Sequence, residues 1–384
     1  MIVEEHKDLS ALSAMRDEWH VLAAACDHDL PYLLPEFLLP WLSRLGDRYR
    51  ICFLSARSVD GALVGLAPLV SRRITFMGIS LDMLQFPEAW PSPPCDWLIH
   101  PKHKGVAEAL FQHCADQMQW DVCELLNVPA ESNLGNYFEQ TVQSQGYSVT
   151  REQSLETYHV PIDTSWDDFF AARTKKFRQN LRRGLRFCEG IGTVTFKRYP
   201  GDMSLEEVSA HVQALLPNSW KGGETDDGDW GTFLLELIGR FAESGRARID
   251  FMLLDDNAIA YLFSTPYKHK VFALHNAYHL GYQHGNLGQY MLMRALHEAF
   301  DAGAECYDFT GNKPYLRQWT KVTRTFERIV VARPSWFGRL RYRAYQQLHH
   351  ARVEKVDEHT NSVKERLKER HRPNTKTKGR GDVW

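Results

Sequence analysis

The sequence contains little of what marks an exported, disulfide-bonded or metal-binding protein. It has seven cysteines, an odd number without paired spacing, and it has neither a CxxC motif nor a zinc pattern, which argues against a disulfide framework. Its first residues, MIVEEHKDLSALSAMRDEW, are charged and lack the apolar core of a signal peptide. No apolar run reaches membrane-spanning length. We therefore expect a cytoplasmic protein without a bound metal.

The composition is that of an ordinary globular protein. Of 384 residues, 43% are hydrophobic and 24% are charged, which fits a sizeable core and a length sufficient for two domains. The formal net charge of −2 excludes a surface that is basic throughout, so we expect no DNA partner. It does not exclude local basic patches.

The most informative stretch is Gly281–Phe300 with the segments on either side of it. The preceding HKVFALHNAYHL predicts a strand, the apolar residues from Gln289 onward follow helical spacing, and CYDFT from Cys306 predicts another strand. Gly285 and Gly288 mark a turn at the start of the helix. A helix that begins there directs free N–H groups and the positive end of its dipole outward, as a phosphate site requires. The signal is weak alone, since most glycine turns only connect elements and the dinucleotide fingerprint is not met.

The order of predicted elements occurs twice along the chain. After a first helix over Leu9–Cys26, RYRICFLSA and ALVGLAPLV predict a hairpin turning at Asp60–Gly61, followed by the helix GVAEALFQHCADQM and the strand WDVCELLNVP. RIDFMLL and AIAYLFSTPY predict a second hairpin, followed by the strand, helix and strand described above. The halves are either tandem copies of one α/β fold or an ordinary α/β succession.

A basic segment lies between the two halves. Ala171–Gly190 carries seven positive charges against one acid, and Ser165 with Asp168 three residues later predicts the start of its helix. One interpretation is a solvated helix face. The other is an anion platform for the phosphates of a cofactor, a nucleotide-linked sugar or tRNA.

Several of these motifs together resemble one bacterial family. SWDDFFAARTKKFRQNLRRGLRF, NSWKGG, the turn at Gly288 and YDFTGNKPYLRQW are similar to GNAT-type acyltransferases of cellulose and exopolysaccharide biosynthesis, relatives of the Fem peptidoglycan aminoacyltransferases. DGALVGLAPLV, the proline-rich loop and WDVCELLNVP add to the resemblance, which covers roughly Leu30–Arg333. It implies an α/β (α+β) fold with tandem GNAT-like domains, in which mixed central sheets are flanked by helices. The implied cofactor is acetyl-CoA or another acyl-CoA, bound in the second domain.

The sequence departs from the family pattern at the turn. The family usually has a Ser-Pro-Gly-like turn, whereas this chain has Asn286, Leu287 and Gly288. An acidic residue commonly follows the strand tyrosine in the family, whereas His279 follows Tyr278 here. The acyl-coenzyme A motif of ordinary GNAT enzymes is not matched by QHGNLG.

We expect four segments. Residues 1–155 form an N-terminal GNAT-like domain and residues 156–335 a C-terminal GNAT-like domain that binds the cofactor and carries catalysis. Residues 336–371 form a long C-terminal helix, used either for peripheral membrane contact or for packing into a homo-oligomer. Residues 372–384 form a disordered tail.

The candidate site residues follow from the resemblance and from acyl-transfer chemistry. The cofactor-binding set is Gly285, Asn286, Leu287, Gly288 and Gln289. Tyr315 is placed like the GNAT tyrosine that protonates the leaving thiolate, Asp308 is a candidate base, and His275 titrates near neutrality. Structural alternatives remain for each: packing of Tyr315 under Trp319, a turn hydrogen bond for Asp308, and a structural histidine. The substrate-binding set is Trp220, Lys221, Arg178, Arg182 and Tyr278.

We therefore expect an acyl-CoA-dependent N- or O-acyltransferase that acts on a sugar-derived, polysaccharide or cell-envelope precursor. One alternative is a Fem-like aminoacyltransferase that uses aminoacyl-tRNA, the only case in which tRNA is a partner. Another is a non-catalytic binding protein that retains the fold.

Overall fold

The structure is a computed structural model that describes residues 1–76, 78–87, 93–219, 221, 230–334, 342, 343 and 345. The predicted C-terminal helix and the tail lie outside this range, except for residues 342, 343 and 345. The helices are α1 (Leu9–Ala14), α2 (Arg16–Ala25), α3 (Pro35–Leu42), α4 (Val106–Gln117), α5 (Asn133–Tyr137), α6 (Trp166–Ala171), α7 (Lys175–Glu189), α8 (Leu205–Leu215), α9 (Trp230–Glu243) and α10 (Leu287–Asp301). The strands are β1 (Ile2–His6), β2 (Arg50–Ile51), β3 (Phe53–Arg57), β4 (Leu63–Ala67), β5 (Val70–Phe76), β6 (Ile79–Gln85), β7 (Leu98–Ile99), β8 (Val122–Pro129), β9 (Ser148–Pro161), β10 (Val194–Tyr199), β11 (Arg248–Leu254), β12 (Asn257–Tyr267), β13 (Lys270–Tyr278), β14 (Cys306–Asp308) and β15 (Thr323–Ala332).

The described strands form two sheets. A small sheet has the order β1-β3-β4-β7, and a large one has the order β10-β11-β12-β13-β14-β9-β15-β8-β6-β5-β2. Neighbouring strands are antiparallel except for two pairs, β6 with β8 and β13 with β14. Each parallel pair is bridged by a crossover that contains a helix, α4 in the first half and α10 in the second, as parallel pairing requires.

The repeated order of elements is confirmed. The predicted hairpins are β3 with β4 and β11 with β12, and both are antiparallel. The helices after them are α4 and α10, and the strands that follow are β8 and β14. The fold class predicted from the sequence, mixed sheets flanked by helices, is thus the one observed.

The two halves share the large sheet through β9 and β15. β9 pairs with β14 at its C-terminal end and with β15 over most of its length, and β15 also pairs with β8 of the first half. The boundary predicted at residues 155 and 156 therefore falls inside one continuous strand.

The large sheet is covered on both faces in the second half. On one face, α8 and α9 belong to the core that extends into the first half, where Phe37 and Trp41 of α3 pack against Phe233 of α9. On the other face, α7 and α10 share a separate core with Trp319 and Tyr307. The turn at Gly285–Gly288, which is the candidate turn for binding a phosphate, lies on this second face.

Two helix predictions are wrong in extent. The helix predicted over Leu9–Cys26 is broken at Met15 into α1 and α2. Ser165 does cap a helix, because its hydroxyl accepts from the N–H of Asp168 at 3.1 Å, but that helix is only α6. The basic residues lie on α7, which has its own cap, since the Thr174 hydroxyl accepts from the N–H of Phe177 at 3.3 Å.

Helix α7 packs directly on the candidate turn through a glycine. A Cβ atom on Gly184 would clash with the carbonyl group of Gly285, lying 2.7 Å from its carbon. Gly285 is itself buried, and a Cβ there would lie 3.1 Å from the Cys188 sulfur. The approach of the two backbones requires glycine at position 184, while glycine at position 285 leaves room for the Cys188 and Leu287 side chains.

We expect Gly184→Ala to lower the thermal stability of the protein, because the methyl group forces α7 away from the turn at an overpacking cost of about 1–3 kcal/mol. The matched control is Gly239→Ala in α9, where a Cβ meets nothing within 4 Å. That control should gain about 0.5–1 kcal/mol, the ordinary preference for alanine over glycine within a helix. Thermal melts of both variants check this, and equal melting temperatures would contradict the packing argument.

Candidate active site

The strands β13 and β14 diverge soon after they meet. They pair only over Lys270–Phe272 and Cys306–Asp308, so residues 273–278 of β13 have no partner in β14. The chain leaves β14 through Thr310, which has a φ of +51°. The Thr310 N–H donates to Asp308 Oδ1 at 2.7 Å, and the Thr310 hydroxyl donates to the carbonyl of Ala273. Among the described residues, the result is an opening in the sheet where the backbone of β13 beyond Ala273 pairs with no strand on the β14 side.

A turn and a helix terminus lie next to this opening. After β13, a short 3₁₀ helix over Leu280–Gly285 leads to Asn286, which has a φ of +51° and precedes α10. α10 begins at Leu287, two residues before the predicted start, with no side-chain cap and no acidic residue in its first turn. Because the first N–H groups of a helix have no partner within it, they remain available to an anion.

Only part of the predicted cofactor set reaches the surface. Asn286 and Gly288 are partly exposed, whereas Gly285, Leu287 and Gln289 are buried. The Gln289 side chain is occupied by Trp319, whose indole N–H donates to Gln289 Oε1 at 2.7 Å. A Cβ on Gly288 would lie 3.4 Å from Tyr278 Cδ1, so the Gly288 backbone lies next to the Tyr278 ring with no side chain between them. The first turn of α10 fits a phosphate-bearing cofactor through its backbone, while the buried side chains hold the turn in place.

Tyr278, Gly288 and Tyr315 come together at the opening. Tyr315 lies in a short 3₁₀ helix, Pro314–Gln318, and its side chain is 37% exposed. Burial raises the pKa of Tyr315, and the nearby Tyr278 raises it further. Burial also raises the pKa of Tyr278. Both phenols are therefore protonated at neutral pH and are proton donors there.

A β-bulge decides which β13 side chains face α10. Phe263 pairs with His275 and Ser264 with Ala273, so β13 contains one extra residue at this point. Beyond the bulge the alternation of side chains is reversed. Tyr278 consequently packs in the core of α7 and α10, whereas His275 packs in the core of α8 and α9.

His275 therefore lies on the face of the sheet opposite to Gly288. Its ring stacks on Tyr261, with centroids 5.7 Å apart, and its Nδ1 shares a 2.8 Å hydrogen bond with the Tyr261 hydroxyl. Burial holds the pKa of His275 well below its usual value, and the charge of Lys221 lowers it further. Within the described residues its Nε2 has no hydrogen-bond partner. Nε2 can accept a proton only in the tautomer whose Nδ1–H donates to the Tyr261 hydroxyl, and the lowered pKa makes this imidazole a weaker base than an ordinary histidine.

Asp308 points toward the first half. It lies beside a cavity of about 220 Å³ whose lining includes His159, Lys270 and Arg324. Asp29 bridges the two cations of this group, with 2.9 Å to an Arg324 nitrogen and an ion pair with Lys270. Burial raises the pKa of Asp308 to about 6, although the Thr310 N–H and Arg324 act against it. The turn hydrogen bond expected as the structural alternative is thus present.

The predicted substrate-binding residues are dispersed. Trp220 lies outside the described residues. The Lys221 N–H donates to the hydroxyl of Ser219, two residues earlier, at 3.1 Å, and Ser219 forms a bridge with His279 beyond the end of β13. Arg178 is half-buried, with an Nε that has no hydrogen-bond partner in the described part of the chain. Arg182 is exposed and lines a cavity of about 390 Å³ between α6, α7 and α10.

Gly184, which allows α7 to pack against the turn before α10, was not among the residues predicted from the sequence. A glycine in the middle of a helix of long side chains was the available signal, because glycine lowers helix propensity and is kept where another backbone approaches. The role of Trp319 as the partner of Gln289 had no local signal, since 30 residues separate them.

Residues 175–317 match a family model described as an acetyltransferase (GNAT) domain. The match extends from α7 to the segment that carries Tyr315. The matched residues make up most of the second half of the chain, which is thus similar to a GNAT acetyltransferase domain. No protein with a curated description matches the sequence significantly.

The fold is also similar to solved structures of low sequence identity. FemX is 13% identical with a TM-score of 0.58, and the similarity covers 88% of this chain and 99% of FemX. A conserved protein of unknown function from Bacteroides thetaiotaomicron VPI-5482 is 12% identical with a TM-score of 0.52, covering 86% and 100% of the two chains. The C-terminal domain of a putative lysylphosphatidylglycerol synthetase from Agrobacterium fabrum is 9% identical with a TM-score of 0.51, covering 89% and 96%. These similarities concern the fold alone.

None of the helices among the described residues combines the length and the apolar character needed to span a bilayer.

We expect the stability difference between Asp308→Asn and the wild type to depend on pH. The folded pKa of about 6 lies above the ordinary 3.8, so the folded state binds more protons than the unfolded state between these values. The free energy of unfolding of the wild type therefore falls as pH rises from about 4 to about 6. The amide introduced by this substitution keeps an acceptor for the Thr310 N–H without a buried charge. The variant should therefore gain stability relative to wild type over this range and hold that gain above it.

Thermal melts between pH 4 and pH 8 measure this difference. Asp47→Asn, at an exposed position, is the control and should show no such change. A constant difference between Asp308→Asn and wild type across the range would contradict the raised pKa.

Proposed function

We propose that the chain is an acyl-CoA-dependent N- or O-acyltransferase, an acetyltransferase in the simplest case, whose acceptor is a sugar-derived, polysaccharide or cell-envelope precursor. The observation that carries the proposal is the convergence of Tyr278, Gly288 and Tyr315 where β13 and β14 diverge, beside the uncapped start of α10. The link to polysaccharide synthesis comes from the sequence resemblance, and the cytoplasmic location remains a prediction from the sequence.

The proposed cofactor would be held by the backbone of the first α10 turn. The N–H groups of Leu287, Gly288 and Gln289 would bind its phosphates, and Gly288 would permit their close approach. When bound there, the cofactor supplies an acyl group activated as a thioester. Residues 273–278 pair with β12 but not with β14, so the N–H groups on their β14 side are donors that can stabilise an oxyanion.

The remaining roles concern protons. Tyr315 Oη keeps its proton at neutral pH and can donate it to the leaving group. The carboxylate of Asp308 can take the proton from the attacking amine or hydroxyl group. His275 can do so through Nε2 only in the tautomer whose Nδ1–H donates to the Tyr261 hydroxyl. The two lie in different surroundings, since His275 packs against Tyr261 and Asp308 lies beside the ions of Lys270 and Arg324.

A second candidate function is aminoacyl transfer from tRNA. Helix α7 favours it, because Lys175, Lys176, Arg182, Arg183 and Arg186 are exposed along its length. A polyanion bound there would show an affinity that falls steeply with salt. Reversing Arg178 and Arg182 to Glu should weaken whichever anionic ligand the helix binds, and no response would leave α7 as a solvated face.

We expect Gly288→Val to abolish the binding of acetyl-coenzyme A. The first added carbon already lies 3.4 Å from Tyr278 Cδ1, and the branched side chain would fill the space beside the helix terminus. Gly288→Ala should have a milder effect. Isothermal titration calorimetry measures the binding, and thermal melts of the same samples separate a lost site from a lost fold.

Gly239→Val in α9 is the matched control, because a Cβ there enters open space, and it should bind like wild type. If wild type shows neither heat nor a thermal shift at millimolar acetyl-coenzyme A, the cofactor proposal fails and the non-catalytic alternative is favoured. If Gly288→Val binds as wild type does, the cofactor site lies elsewhere in the chain.

We expect Tyr315→Phe to lower kcat by roughly ten- to ten-thousand-fold with little change in cofactor affinity, because a proton donor acts mainly in the transition state. Release of free thiol from acetyl-coenzyme A, with an amino sugar as acceptor, measures the rate. Removal of a partly exposed hydroxyl should not change the melting temperature. An unchanged kcat would rule out Tyr315 as the acid.

A further inference from the structure

A further cavity lies on the other side of Trp319 from α10. Its volume is about 590 Å³, and it is bounded by the end of β9, the connection between α6 and α7, and the chain from Arg317 to Val322. Trp319 lines it and at the same time donates to Gln289 in α10. The cavity therefore lies close to the proposed cofactor turn, and the buried indole of Trp319 separates the two.

Three cationic side chains line this cavity against one acid. The cations are Arg173, Arg317 and Lys321, and the acid is Asp163. In the part of the chain that the structure describes, none of the three cations forms an ion pair. Glu156 acts electrostatically on Arg317, whose Nε donates to the Tyr158 hydroxyl at 2.7 Å, but Glu156 does not line the cavity. The cavity thus has an excess of positive charge at its wall.

Arg173 is held in place at this wall. Its guanidinium lies 4.4 Å from the centroid of the Phe169 ring and donates to the carbonyl of Trp319, while its Nε is buried without a hydrogen-bond partner among the described residues. Burial also lowers the pKa of Arg173, and no carboxylate in the described part of the chain opposes that shift. A half-buried cation without a counter-ion costs free energy. An anionic ligand would offset that cost.

The helix that begins beside the cavity carries charge of the same sign. α7 starts at Lys175, has Lys176 next, and has no acidic residue in its first turn. α6 next to it has Asp167 and Asp168 at the equivalent place, which is the arrangement that the helix dipole favours. The local field around the cavity is therefore positive from both the side chains and the helix.

We propose that this cavity binds a phosphoryl group of one of the two substrates in the acyl transfer. The forked guanidinium groups of Arg173 and Arg317 match the oxygens of a phosphate, and Lys321 adds a point charge. Val160, Phe169 and Val322 line the same cavity, so a ring attached to the phosphate has apolar surface to pack against. The inference rests on the proposed function for the identity of the ligand: the phosphate belongs either to coenzyme A or to a nucleotide-linked sugar acceptor.

The test is direct binding of three probes, namely pyrophosphate, coenzyme A and UDP-N-acetylglucosamine, measured by calorimetry at one ionic strength. The principal variant is Lys321→Glu, since this exposed side chain makes no hydrogen bond or ion pair among the described residues. We expect it to raise the dissociation constant of pyrophosphate at least about tenfold, the effect of losing a charge-assisted contact. Arg173→Gln should act in the same direction, with its melting temperature followed because it also loses the contact with Trp319.

Lys102→Glu is the matched control, because it makes the same substitution at an exposed position outside both the cavity lining and α7. It should leave pyrophosphate binding nearly unchanged. A parallel loss for coenzyme A assigns the phosphate to the acyl donor, and a parallel loss for the nucleotide sugar assigns it to the acceptor. If no probe binds wild type, or if Lys102→Glu weakens binding as much as Lys321→Glu, the proposal is overturned. If pyrophosphate binding depends on Lys321 while acetyl-coenzyme A does not bind at all, this site stands and the proposed function fails.

Discussion

The candidate site depends on a parallel strand pair that ends after three residue pairs. β14 contains only Cys306, Tyr307 and Asp308, so in the part of the chain that the structure describes β13 continues without a neighbouring strand on that side. Thr310 then takes a positive φ, which is unfavourable for a β-branched residue. Two hydrogen bonds hold it there, one to Asp308 and one to Ala273. This turn keeps β14 from lengthening and thereby keeps the backbone of β13 open.

The same region is braced from outside by α7. The helix reaches the turn before α10 because Gly184 and Gly285 allow their backbones to touch. The basic residues of α7 lie mostly on its exposed side, while Phe177, Leu181 and Cys188 are buried against the core. One helix thus combines two roles that its sequence shows separately: an apolar stripe that positions the turn and a charged surface that faces solvent.

Local patterns predicted much of the fold. Alternating apolar residues and turn signals were enough for the hairpins β3–β4 and β11–β12, and helical spacing was enough for α10. Other features were not predicted. The break between α6 and α7 was missed because the cap of α7 is a threonine, Thr174, and no proline or glycine marks the break in the sequence. The face of the sheet on which His275 lies was not predictable either. Strict alternation from Val271 would place the His275 side chain beside α10, but one extra residue in β13 reverses that alternation.

The position of β15 has a consequence for how the protein is made. This strand, Thr323–Ala332, is synthesised near the end of the second half, yet it lies between β8 and β9, which belong to the beginning. When β9 has left the ribosome, more than 160 residues must still be translated before its partner emerges. Until then, the facing edges of β8 and β9 have unpaired backbone groups and are open to pairing with other chains. The large sheet can therefore be completed only after β15 has been synthesised.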